Sequence, residues 1–181
     1  MSYFINIFSP ETYQAFSRSG RDTAGFRLRH KKTAADRIKR GDLLVCYLTG
    51  LSRWCGLLEI TEGPFIDHKP IFVSEYDPFV VRFRVRPLTW LDIEKAIPIH
   101  SEHVWTNLSF TCGLDRGSSA WTGKVRGSLV RLEDADGDFL FKALTAQSAN
   151  GRMFPLDDDD AKKFASRPAA NAWNMRWRPG D

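Results

Sequence analysis

DLLVCYLTGLSRWCGLLEI, residues 42–60, predicts a β-hairpin. Its first arm is apolar on both faces, as is typical of a strand that is buried on both sides. Leu43, Val45 and Tyr47 lie on one of these faces, and Leu44, Cys46 and Leu48 lie on the other. Gly50 marks the reversal, and Leu57, Leu58 and Ile60 supply apolar side chains from the second arm. We therefore expect this hairpin to form the centre of the fold.

The end of the hairpin combines a hydroxyl, a guanidinium group and a large ring in Ser52, Arg53 and Trp54. A rigid turn with these groups can hold a flat polar ligand such as a nucleobase. The same Trp can instead cap a hydrophobic core, and the spacing of the residues alone favours that interpretation.

The composition is that of one globular domain, or of a domain with a short appendage. The chain has 181 residues, of which 43% are hydrophobic, and no apolar run approaches the ~20 residues that a membrane helix needs. Its first residues show no signal-peptide pattern. Three cysteines are too few and too scattered for a disulfide framework. We expect a cytoplasmic protein with no membrane partner.

Positive charge is concentrated in one block, although the net charge of the whole chain is only +4. Residues 27–40 contain seven Lys and Arg against Asp36 alone, a local charge of +6. Such a block is expected of a surface that faces phosphates, and it is also what a solvated helix face looks like.

The segments around the hairpin predict short strands and short helices. Residues 3–8 predict a strand, and Ser9-Pro10 predicts the start of a helix. Residues 21–30 lack periodicity and predict a loop. In the strand predicted over residues 79–86, the alternation places Arg82, Arg84 and Arg86 outward. Together these elements indicate a small α+β domain with a curved or closed sheet.

Catalytic patterns do not stand out. The chain has no GxxxxGK or GxGxxG phosphate loop, and His100 and His103 lack further metal ligands at typical spacing. Cys46 and Cys55 lie among strand hydrophobics, where thiols are usually inert. We expect no enzyme activity, no metal and no cofactor.

The aromatic and basic residues of the chain favour nucleic-acid binding over catalysis. The aromatic content is 13%, and several rings adjoin an arginine, as in Phe26-Arg27 and Arg53-Trp54. Aromatic faces stack bases, at roughly 1–3 kcal/mol per base, while Arg and Lys bind phosphates. A pocket that reads one base must take it out of the stack and hold its edge by hydrogen bonds.

Four segments between about residues 2 and 145 resemble the pattern of a known family. In chain order they are YFINIFSPETYQAF, AGFRLRHKKTAADRIKRGDLLVCYLTGLSRWCGLLEI, FRVRP and W…RGSLVRL. In this order and spacing they resemble the EVE domain, a PUA-like family related in fold to the YTH readers of methylated adenine. The most specific parts are the GD…CYLTG…RW.G hairpin and the SPE that follows the first strand. The resemblance implies a small twisted β-barrel of about six strands with short helices around it. It also implies an EVE-like domain over residues 1–147, followed by a C-terminal extension over residues 148–181 that packs on the domain or trails from it.

The function implied by the resemblance is that of a non-catalytic bacterial reader of nucleic acid. Such a domain takes a modified base, flipped out of its strand, into an aromatic pocket. DNA is favoured over RNA, in a restriction or defence setting where a separate effector protein would act.

Matching positions supply the candidate site. The expected base-binding residues are Trp54, Tyr47, Ser9, Phe26, Thr49, Ser52, Trp105 and Ser128. Together with the basic block and the end of the hairpin, the matching positions give the expected phosphate or backbone contacts: Arg27, Arg29, Lys31, Lys32, Arg53 and Arg126. Trp105, Trp90 and Tyr13 compete as the second ring of the pocket. An RNA reader, a small-molecule-binding domain that uses the same pocket, and a protein-interaction module are the alternatives.

Overall fold

The computed structural model describes residues 1–72 and 77–165 of the chain. Its strands belong to one six-stranded sheet. They are β1 (Tyr3–Phe8), β2 (Thr23–Phe26), β3 (Leu43–Leu48), β4 (Arg53–Ile66), β5 (Val81–Trp90) and β6 (Ile97–Pro98). The α-helices are α1 (Pro10–Arg18), α2 (Lys31–Arg37), α3 (Glu102–Asn107), α4 (Asp134–Asn150) and α5 (Asp158–Ala165).

The sheet is mixed and has the strand order β1-β3-β4-β5-β2, with β6 paired to β4. β1 and β3 run parallel, whereas the other pairs are antiparallel. The sheet curls into a half-barrel with the short helices around it. This architecture confirms the predicted α+β fold with a curved sheet of about six strands.

The predicted hairpin is confirmed, and it lies at the centre of the sheet. Every residue of β3 is buried, and its two faces enter two different hydrophobic clusters. Leu44, Cys46 and Leu48 belong to one cluster, and Leu43, Val45 and Tyr47 belong to the other. The apolar character of both faces is therefore explained by cores on both sides of the sheet.

The outer edge of β1 is also paired, by the segment at residues 129–132. Ile5 donates its N–H to the carbonyl oxygen of Val130 (2.9 Å) and accepts from the N–H of Leu129 (2.7 Å). Leu129 has a φ of 62° and a buried side chain, so the segment holds a non-glycine residue in the left-handed region. This pairing fixes the preceding residues 126–128 beside the end of β1.

Helix α1 begins where the sequence predicts. Ser9 is its N-cap: its Oγ accepts from the Thr12 N–H (3.2 Å), and the Thr12 Oγ1 accepts from the Ser9 N–H (2.9 Å). This reciprocal pair satisfies two backbone donors and fixes the exit from β1.

Two expectations for this region are wrong. Residues 21–30 are not all loop, because Thr23–Phe26 form β2 and pair with β5. These four residues are too few to show an alternation, so only the pairing reveals the strand.

Arg82 does not face solvent either: its side chain is 3% exposed and forms an ion pair with Asp67 (2.9 Å).

The C-terminal residues that the structure describes pack against the domain. Phe164 of α5 meets the ring of Tyr13 edge-on at 5.9 Å, and its carbonyl oxygen accepts from the Gln14 amide (2.9 Å). Helix α4 continues across the boundary between residues 147 and 148, where the sequence predicts the start of the extension. Residues 166–181 of that extension lie outside the described residues, so the division of the chain stays a prediction.

Across the described ranges, every helix is too short or too polar to cross a lipid bilayer.

Trp54 provides a test of the core. Its side chain is completely buried, and its ring meets that of Tyr47 edge-on at 4.8 Å. We expect Trp54→Ala to lower the free energy of unfolding by about 3–5 kcal/mol, because a large cavity replaces the ring. Urea denaturation measures this loss, and Leu88→Ala, at a side chain that is 41% exposed, is the control. A loss for Trp54→Ala no larger than that of the control would contradict this packing.

Candidate functional site

A cavity of about 410 Å³ opens at the edge of the sheet where β1 and β3 end. Its volume falls within the range of roughly 300–1,000 Å³ that is usual for small-ligand pockets. The residues that line it come from β1 and α1, β2 and the turn after it, the end of β3, the segment before β5, and residues 126–128. They are Ile7, Ser9, Glu11, Thr12, Gly25, Phe26, Arg27, Arg29, His30, Thr49, Phe79, Arg126, Gly127 and Ser128.

The parallel pairing of β1 with β3 determines where the cavity lies. Phe8 is in register with Leu48, so the two chains leave the sheet side by side. The Thr49 N–H donates to the carbonyl oxygen of Phe8 (2.8 Å), which extends the pairing by one residue. Ser9 and Thr49 therefore reach the cavity together, at the carboxyl ends of two neighbouring strands.

Residues 126–128 form a wall of the cavity beside the end of β1. The Ser128 Oγ accepts a hydrogen bond from the Ile7 N–H (3.2 Å), which holds this hydroxyl against β1. Arg126 is exposed at the cavity. Its side chain makes no ion pair with any residue in the described ranges.

Another wall contains Arg27, Arg29 and Phe79, and Asp77 pairs with both of these arginines beside the cavity. The Arg27 guanidinium lies over the Phe79 ring, 4.6 Å from its centre, and pairs with the Asp77 carboxylate (3.2 Å). Arg27 also donates to the Asp77 carbonyl oxygen (2.7 Å), which fixes the plane of its guanidinium. Arg29 pairs with the same carboxylate at 3.3 Å, but its side chain is 68% exposed.

His30 is the titratable imidazole at the cavity, and its surroundings favour the neutral form. Its half-burial lowers its pKa below the ordinary value, and the positive charges of Arg29 and Arg27 lower it further. The carboxylate of Asp77 acts in the opposite direction. At neutral pH this ring consequently offers one donor and one acceptor.

The structure brings together seven of the residues that the sequence indicated. Four expected base contacts and three expected phosphate contacts line the same cavity: Ser9, Phe26, Thr49, Ser128, Arg27, Arg29 and Arg126. They come from four separate segments of the chain, and their joint use as a binding site stays a prediction.

Other expected site residues lie elsewhere. Trp54, Tyr47 and Trp105 are almost wholly buried in the hydrophobic cluster that also contains Leu43 and Val45. The expected slot walled by Trp54 is therefore not present. The physical reason is the register of β4, which turns Trp54 towards the face of the sheet that also carries Tyr47. Ser52 is half-buried and does not line the cavity either.

Arg53 cannot contact phosphate in this structure. It is 4% exposed, and its guanidinium donates to the backbone carbonyl oxygens of Ile93 (3.2 Å), Phe154 (2.5 Å) and Pro155 (3.2 Å). These bonds hold the segments after β5 and after α4 against the hairpin.

Lys31 and Lys32 are exposed on α2, directly after the turn that carries Arg29 and His30. They do not line the cavity, but they lie next to it in the chain.

The two other rings that competed for the pocket also belong to a packed interface. Trp90 and Tyr13 stack on each other at 5.2 Å, and the Trp90 Nε1 donates to the Ser17 Oγ (3.0 Å). The ring that does accompany Phe26 at the cavity is that of Phe79.

Sequence reasoning missed Phe79, His30, Glu11 and Thr12 as cavity residues. The alternation over residues 79–86 places Phe79 on the inward face of the predicted strand. Thr12 lies within the predicted helix, where its type does not indicate a ligand contact. The clue available in the sequence was adjacency: Glu11 and Thr12 follow Ser9, and His30 follows Arg29.

The described residues contain no cluster of three or more His, Cys, Asp or Glu side chains that could hold a metal ion. Burial raises the pKa of the Cys46 and Cys55 thiols, so both are poor nucleophiles at neutral pH.

Solved structures with the same fold are YTH domains and a bacterial protein. The Mmi1 YTH domain in complex with RNA is 13% identical, covering 86% of this chain and 84% of that one, with a TM-score of 0.59. The YTH domain of Zygosaccharomyces rouxii MRB1, in complex with N6-methyladenosine RNA, is 11% identical over 78% and 86%, with a TM-score of 0.51. Rpa0253 from Rhodopseudomonas palustris is 14% identical over 84% and 96%, with a TM-score of 0.50.

These similarities show that the chain has a YTH-like fold. No protein-family model matches the chain. No curated protein matches it either. Its membership in the EVE family therefore stays a prediction.

The charges around His30 can be tested by titration. We expect Arg29→Gln to raise the pKa of His30, because one neighbouring positive charge is removed, and Asp77→Asn to lower it. Proton NMR of the imidazole across pH 4–8 measures both changes, with Arg18→Gln as the control at an exposed site outside the cavity. Identical titration curves for all variants would contradict the described arrangement.

Proposed function

We propose that this chain is a non-catalytic domain that binds a nucleic acid and holds one modified base in the cavity beside β1. The observation that carries the proposal is the lining of that cavity. It combines the Arg27 guanidinium, which lies over the Phe79 ring, with several hydroxyl groups and two further arginines, Arg29 and Arg126. A planar stacking surface, edge-reading hydroxyls and cations are the three components that a base-flipping reader needs.

Arg27 and Phe79 together provide a stacking surface for the base. Phe79 supports one face of the guanidinium, and the hydrogen bond to the Asp77 carbonyl oxygen holds its plane, so that this plane forms part of the cavity lining. Arginine planes stack on bases in the same way as aromatic rings do. The Arg27 side chain is 31% exposed, which leaves area for such a contact.

The hydroxyls of Ser9, Thr49 and Ser128 lie where the edge of a bound base can be read. All three line the cavity and come from elements that backbone hydrogen bonds hold together. A rigid arrangement lets the site distinguish bases by donor and acceptor positions, because the groups cannot adapt to a wrong edge.

Phosphates of the bound strand would lie along Arg29, Lys31 and Lys32. Arg29 and the two lysines are exposed and follow one another from the cavity onto α2. Their contribution is electrostatic and independent of sequence.

RNA is the first polymer to test. The solved YTH structures are complexes with RNA, one of them with N6-methyladenosine RNA, and this chain shares their fold. The EVE-like residues support a second form of the proposal. In this form a bacterial cytoplasmic protein marks modified DNA in a restriction or defence setting, and a separate effector protein acts on it.

Binding to a panel of oligonucleotides tests the reading of a base. Each RNA or DNA carries one modified base, and fluorescence anisotropy compares it with the unmodified strand. We expect a preference for at least one modified strand in one polymer. Equal affinity for modified and unmodified strands across the whole panel would overturn the proposal.

Arg27→Ala tests the stacking surface. We expect affinity for the preferred modified strand to fall by about 1–3 kcal/mol, the value of one stacked base, because the planar platform is removed. Arg27→Lys retains the charge without the plane, so it should lose most of the same affinity. Arg18→Ala, at an exposed arginine outside the cavity, is the matched control. Full recovery of affinity by Arg27→Lys would show that charge alone matters.

The double variant Lys31→Ala/Lys32→Ala tests the phosphate path. We expect weaker binding to modified and unmodified strands alike. The slope of log K against log salt should become shallower by about 0.7–0.9 for each phosphate that the variant no longer neutralises. Lys142→Ala/Lys162→Ala removes the same charge from exposed positions on α4 and α5. An unaltered salt slope would place the phosphates elsewhere.

A further inference from the structure

The cavity is richer in hydrogen-bond donors than in acceptors. Arg27, Arg29 and Arg126 can only donate, and all three line it. The Ser128 Oγ already accepts from the Ile7 N–H (3.2 Å), so its own proton is available to a ligand. A ligand that complements these groups must bring acceptors.

Negative charge within the lining is small by comparison. Glu11 is the one carboxylate that lines the cavity among the described residues. Asp77 lies beside the cavity and pairs with both Arg27 and Arg29. Arg126 makes no ion pair within the described ranges, so its charge is compensated least.

The ring surfaces are poorly placed to enclose a methyl group. Phe26 is only 2% exposed, and the guanidinium of Arg27 covers one face of Phe79. No tryptophan lines the cavity in the part of the chain that the structure describes. A methyl group gains free energy by contact with apolar surface, and here hydroxyls and guanidinium groups interrupt the apolar surface that Ile7 and Phe79 offer.

We propose that the modification read by this cavity is one that ends in oxygen acceptors, above all a carboxylate, and not a methyl group. The proposal rests on the function proposed above and specifies the class of modified base. Arg126 is the specificity-determining residue: its guanidinium binds the carboxylate in a bidentate manner, while Ser128 donates a further hydrogen bond.

Matched oligonucleotides separate the two classes of modification. Each pair places a methyl or a carboxylate-bearing group at the same atom of the same base. The pairs are 5-methylcytosine and 5-carboxylcytosine, 5-methyluracil and 5-carboxymethyluracil, and N6-methyladenine and N6-carboxymethyladenine, each in RNA and in DNA. Anisotropy at constant ionic strength compares each member with its unmodified strand. We expect the carboxylate member to bind about tenfold or more tightly than the methyl member in at least one pair.

Arg126→Gln should remove this preference, whereas Arg126→Lys should retain part of it, because a single charge survives without the bidentate geometry. Arg18→Gln, which removes the same charge from an exposed position outside the cavity, should leave the preference intact. Circular dichroism confirms that each variant is folded.

The outcomes distinguish this inference from the function on which it rests. A methyl member that binds as tightly as its carboxylate partner, or more tightly, would overturn the inference and leave the reader function standing. An Arg126→Gln variant that retains the carboxylate preference would overturn the role of Arg126. Binding that ignores every modification would overturn both proposals.

Discussion

Hydrogen bonding along both edges of β1 is the constraint on which the rest of the structure depends. On one edge β1 pairs in parallel with β3, and on the other it pairs with residues 129–132. The first pairing brings the ends of two strands to one corner of the sheet, and the second brings residues 126–128 to the same corner. The cavity exists because these two pairings share a strand. Long-range backbone bonds therefore position side chains that are more than a hundred residues apart.

The electrostatic character of the cavity follows from the same architecture. The turn after β2 projects Arg27 and Arg29 towards the corner, and Asp77 offsets part of their charge. Arg126 arrives from a different segment and meets no carboxylate among the described residues. The cavity consequently differs from a purely apolar pocket of the same size, because its walls favour an acceptor-rich ligand. His30, kept neutral by burial and by its arginine neighbours, adds a polar edge without adding charge at neutral pH.

The burial of Arg53 and Trp54 shows that residue type alone does not reveal whether a side chain lies at the surface. Arg53 and Trp54 have the composition of a base-binding tip, yet both are enclosed, one by carbonyl oxygens and the other by a hydrophobic cluster. Burial of a large aromatic ring contributes more to the stability of the fold than exposure of the same ring at the surface does. A Trp at the start of a central strand is therefore expected in the core. Phe79, a less conspicuous residue, provides the ring at the cavity instead.

Local patterns in the sequence determined the central hairpin, the two-faced burial of β3 and the start of α1 at Ser9, because each depends on neighbours a few positions away. They also determined which short segments carry hydroxyls and arginines. Only the tertiary structure decided that β2 is a strand, that Trp54 points into the core and that the 126–128 segment meets the end of β1. These features depend on strand register and on pairing across long stretches of chain. A shift of one residue in register reverses which side chains face the core, and composition carries no record of that choice.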